Sequence, residues 1–228
     1  MKILALEFSP YERGIAVLID GEVRGFAIDR TAQGTRSFEL IQRALTEARL
    51  SAVDVECIAV GLGPGSYAGT RIAIAIAQGW QLARGVKLLG ISSADAIARR
   101  INTPEGLALV GRRIPFHGIA NIVFDAQREQ VYAIQYQLGA HEPRAVGGFE
   151  LLGPDEERRR CAAGEMFIKA DMGPWRLGKE LVLLSDARVI GGMAAQQRDF
   201  VSGHQLEPIY LRKAEFVKAP PSKLRTIG

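Results

Sequence analysis

The clearest chemical signal in this sequence is the glycine-rich segment 61–71, Gly-Leu-Gly-Pro-Gly-Ser-Tyr-Ala-Gly-Thr-Arg. Glycine lets a backbone come close to a ligand, and a helix that begins after such a loop directs unpaired N–H groups toward it. The segment therefore predicts either a phosphate cradle at Gly63, Gly65, Ser66 and Gly69 or a tight strand-to-helix turn without a ligand. No lysine follows the last glycine, so the segment is not a Walker loop.

Two acidic residues each end an apolar strand, one in each half of the chain. Glu7 closes the first apolar run, and Asp125 closes the run that begins at Asn121. Acids at strand ends, facing a cleft between two domains, are where a magnesium-nucleotide site places its ligands or its general base. Two solvated turn acids would give the same pattern, so both interpretations stay open. One functional alternative is thus an ATP-dependent small-molecule kinase.

Histidine and serine positions give little support to other chemistries. The histidines His117, His141 and His204 contain no i, i+4 pair, so no local metal site is predicted. Ser66 does not stand in the Gly-x-Ser-x-Gly elbow of serine hydrolases and is better explained as a loop or capping hydroxyl. We therefore predict no catalytic residue and no metal ligand.

The composition is that of an ordinary globular protein of 228 residues, 47% hydrophobic and 24% charged. Its 29 basic and 25 acidic residues leave a charge of +4, a mild excess that does not predict direct RNA binding. Cys57 and Cys161 are expected to be reduced thiols. Because the sequence has neither a signal-peptide pattern nor an apolar run of roughly 18 residues, we expect a cytoplasmic protein without membrane contact.

The first hundred residues predict alternating strands and helices. Apolar runs at 2–6, 14–19 and 22–28, the last two joined by Asp20-Gly21, predict an antiparallel meander. The elements expected after it are an amphipathic helix from Ser37, a strand at 56–61, a helix at 71–83, a strand at 87–91 and a helix at 92–100.

A break in the periodic pattern at residues 102–106 predicts a domain boundary, because proline and glycine interrupt it there. The two domains would cover residues 1–101 and 102–228. The elements expected in the second domain are strands at 121–125 and 129–138 joined by a polar turn at 126–128, a charged helix at 154–162, a strand at 167–170 and a helix at 191–200.

Six sequence blocks spread over nearly the whole chain stand in an order typical of one family. They are Lys-Ile-Leu-Ala-Leu at 2–6, Ile-Ala-Val-Gly at 58–61, Gly-Pro-Gly-Ser-Tyr-Ala-Gly-Thr-Arg-Ile at 63–72, Gly-Ile-Ser-Ser at 90–93, Phe-Asp-Ala-Gln-Arg-Glu-Gln-Val-Tyr at 124–132 and Pro-Ile-Tyr-Leu-Arg at 208–212. In these blocks the chain resembles the bacterial TsaB proteins, also called YeaZ. One block alone would be weak, but all six in this order make the resemblance specific.

The resemblance implies a fold and a set of partners. The fold would be α/β, with two tandem actin-like domains built from ribonuclease-H-like meanders. The function would be that of a non-catalytic scaffold in the threonylcarbamoylation of tRNA adenosine 37, beside a TsaD-like catalytic paralog and a TsaE-like ATPase. Contact with tRNA would occur only through this complex, and a homodimer is a further expectation. The older family label, a metal-dependent glycoprotease, stays as an alternative, although the paralog's His-x-x-x-His motif is absent here.

The resemblance also places partner binding on the helix that follows the glycine loop. In this chain that surface would comprise Arg71, Ile72, Ala75, Ile76 and Gly79. The helix at 71–83 that carries them is rich in small residues, which suits the close approach of a second helix.

The nucleotide site implied by the resemblance departs from the family pattern. The family usually carries Asp-Thr-Ser at the end of the first strand, whereas this chain has Glu7, Phe8 and Ser9. The implied site would contain Glu7, Ser9, Asp125 and the loop residues named above, and it would bind ATP or ADP with magnesium. Phe8 supplies no hydroxyl, which counts against such binding.

Overall fold

The computed structural model describes residues 1–31, 36–126, 130–170 and 181–211. The elements of the first half are β1 (Lys2–Glu7), β2 (Arg13–Ile19), β3 (Glu22–Asp29), α1 (Ser37–Glu47), β4 (Cys57–Gly61), α2 (Tyr67–Arg84), β5 (Lys87–Ile91) and α3 (Ser93–Ile101). Those of the second half are α4 (Pro104–Leu109), β6 (Gly118–Asp125), β7 (Val131–Leu138), β8 (Arg144–Leu152), α5 (Pro154–Ala162), β9 (Met166–Lys169) and α6 (Ala187–Ala195). Most of the polar turn predicted at 126–128, and residue 212 of the last family block, lie outside the described ranges.

The first sheet has five strands in the order β3-β2-β1-β4-β5. Its meander is antiparallel, whereas β4 and β5 run parallel to β1. The turn between β2 and β3 has φ of 50° at Asp20 and 87° at Gly21, the positive values that a two-residue hairpin turn of this type requires. The predicted meander is therefore confirmed.

Helices α1 and α2 pack on one face of this sheet. The buried residues of α1, Leu40, Ile41, Ala44 and Leu45, recur at helical spacing. Helix α2 begins earlier than predicted, because the Ser66 hydroxyl accepts a hydrogen bond from Gly69 N and caps the first turn. The glycine loop thus leads directly from β4 into an 18-residue helix.

The second sheet repeats the order of the first with one strand fewer, as β8-β7-β6-β9. Strands β6, β7 and β8 form an antiparallel meander, and β9 runs parallel to β6. The repetition of a meander followed by parallel strands confirms the predicted α/β class with two tandem sheets.

Three elements differ from the sequence prediction. Helix α4 lies where a linker was expected, because Thr103 caps it and Pro104 stands in its first turn, where proline is tolerated. Strand β8 was not predicted, since Gly147 and Gly148 obscure its pattern. Helix α6 covers 187–195 and not 191–200. Its Gly191 is needed for packing, because a Cβ there would lie 2.1 Å from Leu18 Cδ1.

The two halves exchange helices. Helix α3 follows the first sheet in sequence, but its Ile97 and Ile101 pack in the core of the second sheet. Helix α6 follows the second sheet, but its Ile190 and Ala194 pack against β1 and β2 of the first. Each core therefore includes a helix from the other side of the predicted boundary at residue 102, which itself stays a prediction.

The outer strand of each sheet is covered or interrupted. At β3, the Phe26 N–H donates to the Glu47 carboxylate of α1 at 3.0 Å. At β5, Leu88 forms a bridge with Val201, and at β9, Lys169 forms one with Val182. At β8, residues 147–149 bulge opposite the single residue Ile134, between the pairs formed by Ala133 and Gln135. Regular pairing along each outer edge is thus limited.

The two thiols lie in different environments. Cys57 is buried in β4, and burial raises its pKa to about 11, whereas Cys161 is exposed on α5. Both are free cysteines, as predicted. In the described ranges, none of the helices combines the length and the apolar character needed to cross a bilayer.

The exchange of helices predicts one cooperative unit. Replacing the fully buried Ile190 by Ala should lower the free energy of unfolding by about 2–4 kcal/mol, because a cavity opens between α6 and the first sheet. Urea unfolding followed by tryptophan fluorescence and by far-UV circular dichroism should show one shared transition that moves to lower urea. Two separate transitions, or an unchanged midpoint, would contradict this packing.

Candidate functional site at the glycine loop

The carboxylate of Glu7 is held inside the protein at the end of β1, with 1% of the residue exposed. Its Oε1 accepts a hydrogen bond from Ser9 N at 2.8 Å. Its Oε2 accepts from the hydroxyls of Ser93 at 2.8 Å and Ser185 at 2.6 Å. Because Ser93 begins α3 and Ser185 precedes α6, this carboxylate joins the end of β1 to the two exchanged helices.

The glycine loop packs against the backbone that follows Glu7. The Ser66 N–H donates to Ser9 O at 2.7 Å. A Cβ at Gly65 would lie 2.3 Å from Ser9 O, and one at Gly69 would lie 2.0 Å from Phe8 O. Glycine is needed at these positions because two stretches of main chain touch there.

Several amide groups of the loop already have protein acceptors. Gly63 N donates to the Ser93 hydroxyl at 3.1 Å, and Gly69 N donates to the Ser66 hydroxyl at 3.1 Å. The Ser9 hydroxyl, which is buried, donates to Ser93 as well, at 3.0 Å. Ser66 therefore acts as a helix cap, one of the two roles that the sequence allowed.

The enclosed carboxylate of Glu7 does not fit a magnesium ion at this position. Both oxygens of Glu7 accept hydrogen bonds from protein groups, and Ser9 and the loop fill the space beside them. Asp125 lies at the exposed end of β6, whereas Glu7 is enclosed. Among the predicted residues, the structure joins Glu7, Ser9 and the loop into one cluster, whereas Asp125 stands at the end of β6 in the other sheet.

Ser93 and Ser185 were not predicted as members of this cluster. They lie 86 and 178 residues from Glu7 in the sequence. Ser93 belongs to a block that carried the family resemblance, which was the one available signal. Ser185 stands in a segment without any recognisable motif.

The residues predicted to form the partner surface on α2 differ in how exposed they are. Arg71, Ala75 and Gly79 are exposed, and a Cβ at Gly79 would meet nothing within 4 Å. Ile72 is half-buried. Ile76 is only 8% exposed and belongs to the core under α2, so it is not available to a partner.

An aromatic cluster at the start of α2 was not predicted. The rings of Tyr67 and Tyr210 stack with centroids 5.3 Å apart, and the Arg71 guanidinium lies 4.3 Å from the Tyr67 centroid. Arg71 Nε donates to the Tyr210 hydroxyl at 2.6 Å, and this hydrogen bond raises the pKa of Arg71. The two tyrosines are 143 positions apart, so no local pattern could have paired them.

The comparisons with known proteins agree along the length of the chain. It is 29% identical to the tRNA threonylcarbamoyladenosine biosynthesis protein TsaB of Escherichia coli K12, covering 98% of this chain and 100% of the relative. Identity to the Bacillus subtilis protein of the same name is 28%, over 94% and 96% of the two chains. A family model described as TsaD, tRNA N6-adenosine threonylcarbamoyltransferase, matches residues 35–156, more than half of the chain. The chain belongs to this family, in its TsaB (YeaZ) branch.

A solved structure supports the same assignment. YeaZ from Pseudomonas aeruginosa superimposes with a TM-score of 0.70 at 25% identity, covering 92% of this chain and 100% of that one. The two-domain actin-like fold expected of TsaB proteins is therefore confirmed. Within the described ranges, no three His, Cys, Asp or Glu side chains are grouped so that they could hold a metal ion.

The Glu7 cluster predicts a large energetic cost when the carboxylate is removed. Glu7→Ala should lower the free energy of unfolding by about 3–5 kcal/mol, because it leaves three buried donors without their acceptor. Ser185→Ala removes one donor and should cost about 1–2 kcal/mol. Urea unfolding of both variants measures the difference, and equal effects would show that the carboxylate does not join these segments.

Proposed function

We propose that this chain is a non-catalytic partner of a TsaD-like transferase in the threonylcarbamoylation of adenosine 37 of tRNA. The observation that carries the proposal is the end-to-end match to proteins named for threonylcarbamoyladenosine biosynthesis, together with membership of the family that contains the transferase. A TsaE-like ATPase is the further partner, and tRNA is met through the assembled complex. We place this work in the cytoplasm.

The geometry favours a scaffold over either enzyme alternative. A kinase would need a strand-end acid that faces its substrates, but Glu7 is enclosed by serine donors. A metal-dependent hydrolase would need a group of metal ligands, and the described ranges offer none. We therefore expect no threonylcarbamoyl transfer by the chain alone.

The partner surface that we propose is the exposed side of α2. Arg71, Ala75, Gly79 and Leu82 follow one another at intervals of four, four and three residues, so they share one face of the helix. Leu82 is 89% exposed, and no side chain projects from Gly79. A helix of the transferase can approach closely along such a face. The same face would support a homodimer when the transferase is absent.

Substitution on this face separates association from folding. Ala75→Arg should abolish the complex with the TsaD-like protein, because a long charged side chain enters the contact, while the melting temperature stays within about 2 °C. Light scattering of the mixture measures the complex. In the reconstituted system, formation of threonylcarbamoyladenosine should fall with it.

Two matched variants control this test. Ala162→Arg places the same change on the exposed end of α5 and should leave association intact. Ala77→Arg places it on the buried side of α2, where the alanine is 0% exposed, and should unfold the protein. If wild-type protein formed no complex, or if Ala75→Arg bound normally, the proposed interface would be wrong.

Titration with nucleotide tests the kinase alternative directly. We expect no saturable binding of Mg-ATP or Mg-ADP to the isolated chain below about 0.1 mM by calorimetry, because the Glu7 oxygens and the amides of Gly63, Ser66 and Gly69 are already engaged. Saturable binding of either nucleotide tighter than this by the wild-type chain would contradict the expectation and favour a nucleotide site.

A further inference from the structure

The cluster of Tyr67, Arg71 and Tyr210 is organised before any partner binds. Arg71 stands one turn after Tyr67 on α2, and its guanidinium lies over the Tyr67 ring. Tyr210 comes from the C-terminal segment, which is fixed beside the loop by the bond from Ile209 N to Leu62 O at 2.8 Å. The side-chain freedom that binding would otherwise remove is therefore already restricted.

The cluster is nevertheless open to solvent. Tyr67 is 51% exposed and Tyr210 is 45% exposed. Tyrosine and arginine are the residue types most often found where a few side chains supply much of the binding energy between proteins. A rigid, half-exposed group of these residues is suited to such a contact.

The charge of Arg71 is not balanced within the described part of the chain. Its hydrogen-bond acceptor there is the neutral hydroxyl of Tyr210, and among the described residues no carboxylate forms an ion pair with it. Helix α2 contains no acidic residue at all. Its other arginine, Arg84, donates to the carbonyls of Ala52 and Val53 at 2.5 and 2.8 Å. Both arginines thus bind neutral acceptors, and Arg71 is the one that stands on the face formed with Ala75, Gly79 and Leu82.

The rest of the face indicates a protein and not an RNA. Between Arg71 and Arg84 the exposed positions are small or apolar, namely Ala75, Gly79, Leu82 and Ala83. An RNA surface normally presents several cations to successive phosphates. On the described face of α2, Arg71 stands at the end of a narrow apolar stripe. This arrangement suits a partner helix that packs along the stripe and carries an acidic residue near its own end.

We infer that Arg71, positioned by Tyr67 and Tyr210, recognises a carboxylate on the partner helix that packs along α2. The inference rests on the proposed function, since that partner is the TsaD-like transferase. Tyr67 and Tyr210 are positioning residues, because they hold the guanidinium in place and need not touch the acid themselves.

Affinity for the transferase, measured by calorimetry with purified proteins, tests the assignment. Arg71→Ala should weaken binding by about 10- to 100-fold, as expected for a central charged contact. Arg71→Glu should weaken it by about a further 10-fold, because like charges then face each other. Arg84→Ala is the matched control on the same helix and should change affinity by less than about twofold. Wild-type affinity should also fall more steeply with added NaCl than that of Arg71→Ala.

Tyr210→Phe tests the positioning role. It keeps the ring and removes the hydroxyl acceptor, so we expect a loss of about threefold to tenfold. Because all these side chains are exposed, the melting temperatures should stay close to wild type.

The outcomes separate this inference from the proposed function. A wild-type chain that did not bind the transferase would overturn both. If the wild-type chain bound the transferase and Arg71→Ala and Arg71→Glu bound it with the same affinity as each other, the carboxylate contact alone would be overturned. Unchanged transferase affinity with weaker binding of tRNA by Arg71→Ala would show that the cluster contacts RNA, and it would overturn the assignment.

Discussion

The enclosed carboxylate of Glu7 is the interaction on which the centre of this molecule depends. Removing a carboxylate from water is expensive unless donors surround it, and here an amide and two hydroxyls do so. The donors come from the turn after β1, from α3 and from the segment before α6. A Cβ at Gly61 would lie 2.3 Å from the carboxylate, so the start of the glycine loop is also fixed by it. The position of α2 follows from this arrangement.

The same carboxylate binds the polar end of the first strand to other segments of the protein. In a nucleotide-dependent member of the actin-like fold, the polar end of the first strand must stay open to phosphate and metal. Glutamate is one methylene longer than the aspartate usual in the family. In this chain its carboxylate reaches Ser93 at the start of α3 and Ser185 just before α6. Phe8, fully buried beside it, supplies core packing where the family has a hydroxyl. The strand end thus holds protein segments together in this structure.

Much of the fold could be predicted, because its signals are local. Short local motifs predict the hairpin at Asp20-Gly21 and the loop that leads into α2. The elements that were missed depend on distant contacts: Gly191 fits inside α6 only because Leu18 packs there, and β8 is a strand only because β7 lies beside it. For the site, sequence located Glu7 and the loop but not their roles. Whether a strand-end acid faces solvent or protein depends on residues such as Ser185, far along the chain.

The closed edges of the two sheets restrict how this protein can join others. An open outer strand is a template for any passing β-segment, and proteins that assemble through sheets use it. Here the Glu47 carboxylate occupies an amide of β3, short bridges cover β5 and β9, and a glycine bulge interrupts β8. Growth into a continuous intermolecular sheet is thereby disfavoured. In the complex that we propose, recognition therefore falls to helix surfaces, where the fit of side chains selects the partner.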